Sequence, residues 1–239
     1  MNRFIVFAPW EYTPHSGGHI ALHTLTKNLC ELGQDVTILE DCGFECNAKV
    51  VKIWKGETLT YDKDNTLVIY PEIIEGNPLE AKHVIRWILY DVKPEVEVTW
   101  RESDYYFYNI PRFKTIRQET KKILTAFNFD FTPAIKEKTK DACILLRKKA
   151  PERLVFHADI IAEPKSIQDF CEQVAPYAIF YTHDDATFYS EIAYLCGCRS
   201  IILSSPPRDV TTSFEKLNEM KQKSIEETKE LIRVFQRIK

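Results

Sequence analysis

Short apolar runs alternate with amphipathic segments along most of the chain. Residues 3–8 (RFIVFA) form a short apolar run that ends at Pro9, a pattern typical of a buried parallel strand. Residues 19–32 carry apolar side chains at helical spacing, and Gly33 follows them as a helix stop. Residues 35–40 (DVTILE) supply a second strand. Together these segments predict one β-α-β unit.

The same alternation continues towards residue 110 and restarts at Asp141. The further predicted strands are 50–54, 66–70, 105–108, 122–127, 141–149, 154–159, 177–182 and 200–203. The further predicted helices are 79–90, 165–174, 186–196 and 212–239. Strands that alternate with helices indicate parallel sheets. The predicted fold class is therefore α/β, with two Rossmann-like parallel-sheet halves facing a cleft.

The weakest periodicity lies in residues 111–140, which we interpret as the connection between the halves. The predicted domains are 1–135, 136–211 and a C-terminal helix over 212–239. This helix has apolar positions near both of its ends, which predicts that it packs on the body of the protein, and we favour a return to the N-terminal half. In such folds ligands bind at the carboxyl ends of the strands.

Composition excludes several classes of function. The net charge of −3 gives no overall attraction to nucleic acid, so no nucleic-acid partner is predicted. No run approaches 18 apolar residues, so no transmembrane segment is predicted, and peripheral contact with a membrane is left open. The N-terminal residues lack the features of a signal peptide. The odd number of cysteines, seven, fits a reducing compartment, so the predicted location is cytoplasmic.

Neither a metal nor a cofactor is predicted. Cys42 and Cys46 have zinc-like spacing, but no second pair of ligands accompanies them. Asp184 and Asp185 invite comparison with D-x-D metal motifs. Such a motif places two carboxylates one residue apart in a loop, whereas these two are adjacent at a predicted helix start, so we favour a metal-free site.

The first candidate site is Ser16-Gly17-Gly18, between strand and helix. Paired glycines there allow close approach of a ligand to the backbone, and a helix N-terminus offers N–H groups to phosphate. The segment is not the G-x-G-x-x-G fingerprint, which argues against NAD. The alternative interpretation is a plain tight turn.

The second candidate is Arg147-Lys148-Lys149, at the end of a predicted strand. Cations at this edge of an α/β sheet can neutralise a diphosphate leaving group. The alternative is a solvated run of charges.

The third candidate is residues 181–198, YTHDDATFYSEIAYLCGC. A strand is predicted to end at Thr182, and small residues on one face of the next helix would let it lie close to a ligand. The alternative for Asp184 or Asp185 is a structural helix N-cap.

These segments together resemble glycosyltransferases of the GT-B fold that build bacterial and viral surface polysaccharides. Residues 16–23 look like the Gly-Gly loop and first helix of that class, and 70–79 is similar to a YPEI…GNPL stretch. Residues 146–149 look like its IRKG strand end, and 181–198 resembles its YDxxTxxSxxAALCGC block. The matches extend over most of residues 1–205. Aligned on Cys196-Gly197, Asp184 and Ile192 stand where many members have two Glu residues.

The resemblance implies transfer of a sugar from a UDP- or GDP-linked donor to a glycan or lipid-linked acceptor, without a metal. The implied catalytic residues are Arg147 and Lys148, on the leaving diphosphate, and Asp184, on a sugar or ribose hydroxyl. The implied substrate-binding residues are Gly17, Gly18, His19, Glu72, Asn77, Thr187, Ser190 and Glu191. A general base is needed if the reaction inverts stereochemistry, and Glu11, His15, His19 and Glu72 are candidates between which the sequence does not choose.

Two alternatives stay open. One is a non-catalytic GT-B-like subunit that binds a nucleotide sugar or a partner enzyme, which the missing second Glu favours. The other is an enzyme that binds a nucleoside diphosphate and has no connection with sugar transfer.

Overall fold

The structure, a computed structural model, describes residues 2–9, 12, 13, 16–39, 47–52, 59–113, 115, 122–126, 131–146, 157–185 and 188–238. The chain is α/β and divides into two compact units. Unit 1 comprises Met1–Asn128 and Met220–Lys239, and unit 2 comprises Phe129–Glu219. In the part of the chain that the structure describes, no helix has both the length and the apolar character needed to cross a bilayer.

Unit 1 is built on a seven-stranded parallel sheet. Its elements in chain order are β1 (Arg3–Phe7), α1 (Gly17–Glu31), β2 (Asp35–Leu39), β3 (Lys49–Val51), β4 (Thr66–Pro71), β5 (His83–Ile88), α2 (Pro94–Glu97), β6 (Tyr105–Tyr108) and β7 (Lys122–Ile123). The strand order is β3-β2-β1-β4-β5-β6-β7, and every neighbouring pair is parallel. The order changes direction between β1 and β4, which is the switch point where ligands of such sheets bind.

One face of this sheet is covered by two helices. Side chains from α1, including Leu22, Leu25 and Leu29, pack there together with the C-terminal part of the last helix, α5 (Phe214–Ile238). Phe235 of α5 lies edge-on to Phe4 of β1, with ring centroids 5.5 Å apart. The apolar side chains at the end of this helix are therefore buried in the core of unit 1.

The other face is covered by loops. Ile5, Val68 and Tyr70 of the sheet pack against Ala81, Leu79 and the segment around residues 59–61. Because β4 is buried on both faces, its sequence is an apolar run without alternation. The prediction of strands at 66–70 and 105–108 is confirmed.

The prediction of a helix over residues 79–90 is wrong. His83–Ile88 is the strand β5, and its core-facing residues Ile85 and Trp87 alternate with Val84 and Arg86 on the opposite face. Both faces are buried, so the run lacks strand alternation and its apolar spacing imitates a helix. Arg86 is accommodated because Asp104 accepts its Nε–H at 2.8 Å.

Unit 2 contains a smaller, mixed sheet. Its elements are β8 (Lys140–Leu145), β9 (Asp159–Ile160), α3 (Ile167–Val174), β10 (Tyr177–Thr182), α4 (Tyr189–Leu195), β11 (Arg199–Ile202) and β12 (Arg208–Val210). The order is β12-β11-β10-β8-β9, with the switch point between β8 and β10. Strands β8 to β11 are parallel, as expected, but β12 is antiparallel to β11 and was not predicted. A short strand at a sheet edge has too few apolar residues to be recognised from the sequence.

Candidate functional site

Gly17 and Gly18 are the first two residues of α1, immediately after the switch-point strand β1 and its loop. An added Cβ at Gly17 would have no heavy atom within 4 Å, and one at Gly18 would lie 3.8 Å from Cδ1 of Leu89. Neither glycine has positive φ or a crowded Cβ position, so the turn itself does not require them. Both positions have room for a side chain, and their backbone N–H groups belong to the start of α1, where a phosphate could be bound.

Glu72 follows β4, the second switch-point strand. Its side chain is mostly buried, and Oε2 accepts the backbone N–H of Leu89 at 3.1 Å. Leu89 follows β5 and also approaches Gly18. Glu72 and Gly18, two residues that the sequence singled out, therefore meet through Leu89 at the carboxyl edge of the sheet.

His19 has a fixed hydrogen-bonding role at one ring nitrogen. Nδ1 accepts the backbone N–H of Thr13 at 3.2 Å and lies 3.2 Å from the hydroxyl of the same residue. A backbone N–H only donates, so the neutral ring carries its proton on Nε2. His19 is thus a donor at Nε2 when its ring is neutral. Because a donor cannot take up a proton at the same atom, Glu72 is the better candidate base of the two. Glu11 and His15 lie outside the described residues.

Asn77 lies in the loop between β4 and β5. Its Oδ1 accepts the N–H of Ala81 at 3.0 Å and the hydroxyl of Tyr70 at 3.1 Å, while Nδ2 donates to the carbonyl of Ala81 at 2.9 Å. Both ends of the amide are therefore hydrogen-bonded, to Ala81 in the same loop and to Tyr70 of β4. This gives Asn77 a structural role in holding the loop that follows Glu72.

A buried ion pair that the sequence reasoning missed supports the same loop. The side chains of Arg86 and Asp104 are both fully buried, and Arg86 also donates to the carbonyls of Ile74 and Gly76. Its guanidinium lies 4.9 Å from the ring centroid of Tyr70. Burial lowers the pKa of Arg86, and Asp104 opposes that shift. A charged residue inside an apolar strand was the signal available for this pair.

In unit 2 the predicted residues follow the switch-point strands β8 and β10. Leu145 ends β8 and pairs with Thr182, which ends β10. Asp184 comes two residues later, and its backbone N–H donates to the hydroxyl of Thr182 at 3.1 Å. Arg147 and Lys148, which follow β8 in sequence, lie outside the described residues, and so does Thr187.

The helix after Asp184 begins later than expected. Its N-cap is Phe188, with no side-chain cap, so the interpretation of Asp184 or Asp185 as the N-cap is wrong. Ser190 is fully buried, and its hydroxyl donates to Oε2 of Glu191 at 2.7 Å. Ser190 therefore contributes small size and a satisfied hydroxyl, whereas the carboxylate of Glu191 is partly exposed.

Among the described residues, no group of three or more His, Cys, Asp or Glu side chains is arranged to hold a metal ion. A groove of about 240 Å³ lies at the opposite, amino-terminal edge of the sheet in unit 1. It contains the Arg3–Asp35 ion pair, with 3.1 Å between Nε and Oδ2, and Thr66. None of the residues singled out from the sequence lines this groove.

No protein-family model, curated protein or solved structure matches this chain.

Proposed function

We propose that the chain is a GT-B-type glycosyltransferase that moves a sugar from a UDP- or GDP-linked donor to a glycan or lipid-linked acceptor without a bound metal. One observation carries the proposal. Each unit has parallel strands that change order at one point, and residues of the resembling motifs follow the strands at both points. Such points are where α/β sheets bind nucleotides and sugars.

Unit 1 supplies the acceptor side in this proposal. Glu72 is the general base, because its carboxylate lies at the switch point and is oriented by the N–H of Leu89. His19 donates from Nε2 to a substrate oxygen. The backbone N–H groups of Gly17 and Gly18, at the start of α1, bind a phosphate or hydroxyl of the substrate.

Unit 2 supplies the donor side. When the glycosidic bond breaks, charge develops on the β-phosphate, and cations placed there stabilise the transition state. Arg147 and Lys148 take this role, and Thr187 donates from the segment before α4. Asp184 binds a sugar or ribose hydroxyl, with its backbone held by Thr182. The adjacent carboxylates of Asp184 and Asp185 favour direct hydrogen bonds to the donor over a D-x-D metal site.

A specific observation favours a second candidate, the non-catalytic subunit. Ile192, which aligns with the second Glu of many GT-B glycosyltransferases, is buried in the core of unit 2. The neighbouring Glu191 already accepts the hydroxyl of Ser190. Ribose recognition would then be weaker than in active members of the class.

The test combines binding and turnover. UDP and GDP are each added in the presence of EDTA, and the melting temperature is followed, because a ligand that binds only the native state must raise it. A panel of UDP- and GDP-sugars is then assayed for release of the nucleoside diphosphate in the presence of glycan and lipid-linked acceptors.

We expect stabilisation by one nucleotide and release from its sugar. Binding without turnover supports the non-catalytic subunit instead. Stabilisation that is lost on chelation contradicts the metal-free site, and the absence of both binding and turnover contradicts the proposal as a whole.

A further inference from the structure

The groove at the amino-terminal edge of the unit 1 sheet has two cations on one face of neighbouring strands. Arg3 of β1 pairs in register with Asp35 of β2, and Thr37 of β2 pairs with Lys49 of β3. Positions two apart in a strand share a face of the sheet, so Arg3 and Lys49 belong to the same face. Residues 59–61, from the segment that covers this face, complete the lining.

Both cations have hydrogen-bond donors that the protein does not use. Arg3 donates from Nε to Oδ2 of Asp35 at 3.1 Å, while its two terminal nitrogens have no partner in the part of the chain that the structure describes. Lys49 is exposed and, within the same part, makes neither a hydrogen bond nor an ion pair. These three are the charged residues of the lining, so one positive charge remains after the ion pair.

A buried hydroxyl lies in the same wall. Thr66 of β4 pairs in register with Arg3 and is only 1% exposed. Among the described residues its hydroxyl has no hydrogen-bond partner. An unpaired buried hydroxyl is unfavourable, so an acceptor atom brought to this wall beside Arg3 would be stabilised.

The remaining surface of the groove is largely apolar. Ile5, Val51 and Leu59 contribute aliphatic side chains. Tyr61 contributes its ring, because its hydroxyl already donates to the carbonyl of Leu79 at 2.9 Å. The groove has a volume of about 240 Å³, and a cavity of about 150 Å³ is enough to hold benzene. The groove therefore has room for one ring together with a charged group.

We propose that this groove binds a small organic carboxylate whose apolar body is about the size of one aromatic ring. The carboxylate accepts hydrogen bonds from the terminal nitrogens of Arg3, in the forked geometry that a guanidinium group provides, with the hydroxyl of Thr66 beside it. Lys49 adds a second positive charge, and the ring packs against the aliphatic side chains and Tyr61.

The composition of the lining selects a carboxylate over a phosphate. One uncompensated positive charge balances a monoanion, whereas a phosphate dianion needs two, and the apolar surface would stay uncovered. The groove lies at the edge of the sheet opposite to Glu72 and Gly18. The inference is therefore independent of the proposed function.

The experiment titrates the ¹⁵N-labelled, full-length chain with sodium benzoate and follows the backbone amide signals by NMR. Benzamide, which has the shape without the charge, and inorganic phosphate, which has the charge without the ring, are titrated in parallel. Arg3→Gln and Lys49→Gln each remove one cation from the groove. Lys52→Gln is the matched control, because Lys52 is an exposed cation that does not line the groove. Melting curves without ligand check that the three variants are folded.

We expect benzoate to shift the amide signals of Thr37, Val51 and Thr60 to saturation and to leave those of Gly18 and Leu89 unchanged. Benzamide and inorganic phosphate should each bind about 10-fold more weakly or worse, the scale for loss of a hydrogen bond to a charged group. Saturable shifts that are missing, or that occur at Gly18 and Leu89 instead, overturn the proposal. So does benzamide or phosphate that binds as tightly as benzoate.

The variants test the two cations separately. Arg3→Gln should weaken benzoate binding by about 10-fold or more, because it removes the forked donor. Lys49→Gln should weaken it by about 3-fold, because its charge is exposed to solvent. Lys52→Gln should bind like the wild type. An Arg3→Gln variant with wild-type affinity, or a Lys52→Gln variant that loses as much affinity as Lys49→Gln, contradicts a site built at this groove.

Discussion

The carboxylate of Glu72 accepts the backbone N–H of Leu89 at 3.1 Å across 17 positions of sequence. The bond joins the residues that follow β4 and β5, and it holds a mostly buried carboxylate at the carboxyl edge of the sheet. Substitution can separate the two properties of this carboxylate, its ability to accept the Leu89 N–H and its negative charge.

Glu72→Ala removes the acceptor of the Leu89 N–H and should lower the free energy of unfolding by about 1–3 kcal/mol. Glu72→Gln keeps an oxygen acceptor and should cost clearly less in denaturant unfolding. If Glu72 is the general base, both variants should lose turnover by about 10²–10⁴-fold. A Gln variant with wild-type turnover would remove Glu72 from that role.

Arg147→Ala should lower turnover by about 10²-fold or more, the scale for loss of a group that stabilises transition-state charge. Its unfolding curve should stay close to that of the wild type. Lys165→Ala, which changes an exposed cation of the same unit, is the matched control and should leave turnover unchanged. The opposite result, an active Arg147 variant and an inactive Lys165 variant, would show that Arg147 does not have this role.

Phe235→Ala should destabilise the protein by about 3–5 kcal/mol, because the fully buried ring contacts Phe4 and the ring of His83 in the core of unit 1. Phe214 begins the same helix but is 47% exposed, so Phe214→Ala should cost about 1 kcal/mol or less. Equilibrium denaturation of both variants checks the difference. Equal losses would contradict the unequal packing of the two ends of α5.

Asp104→Asn leaves the buried guanidinium of Arg86 without its counter-charge and should cost about 3–5 kcal/mol in unfolding free energy. Asp35→Asn removes the partner of Arg3 in an exposed pair of the same sheet and should cost about 1 kcal/mol or less. Both substitutions replace a carboxylate by an amide, but Asp104 also accepts the Nε–H of Arg101 at 3.0 Å, so the larger loss reflects burial together with this second partner. A small loss for Asp104→Asn would mean that water reaches Arg86.

Alkaline pH should destabilise unit 1 through Tyr61. Burial raises the pKa of Tyr61 to about 12, and its hydroxyl donates to the carbonyl of Leu79 at 2.9 Å. The folded pKa exceeds the unfolded value of about 10, so this stabilisation is complete below pH ~10 and is lost as pH rises through about 12.

Tyr61→Phe should therefore show a shallower fall of the melting temperature between pH ~10 and ~12. Tyr105→Phe, at a partly exposed position, should keep the wild-type slope. Parallel curves for all three proteins would exclude Tyr61 as a source of the alkaline dependence.

The sequence predicted strands best where a single pattern applied. Residues 66–70 were recognised because an apolar run bounded by polar residues has one interpretation, a strand buried on both faces. Residues 79–90 were not, because a similar run contains Arg86, and only its distant partner Asp104 shows that a charge is tolerated inside a strand. Local pattern cannot reveal a partner that lies 18 residues further along the chain, just before the neighbouring strand β6.

The candidate site, like the fold, was predictable only in part. That Glu72 and Gly18 lie at one sheet edge follows from the rule that parallel strands share their carboxyl ends. The internal role of Asn77 and the start of α4 at Tyr189 depend on hydrogen bonds and packing that residue types do not determine. The alternation of strands and helices therefore indicated the sheet edge where Glu72 and Gly18 lie, while the strand order and the roles of individual side chains required coordinates.

Unit 1 is assembled from two separated stretches of chain, and this determines an order of events during synthesis. Unit 2 is one uninterrupted stretch and leaves the ribosome before residues 220–238 do. The sheet of unit 1 is synthesised first, yet the packing of one of its faces is completed only when Leu231 and Phe235 have been synthesised. The N-terminal unit is thus the last to complete its core, and until then α1 alone covers that face and the part that α5 covers stays exposed.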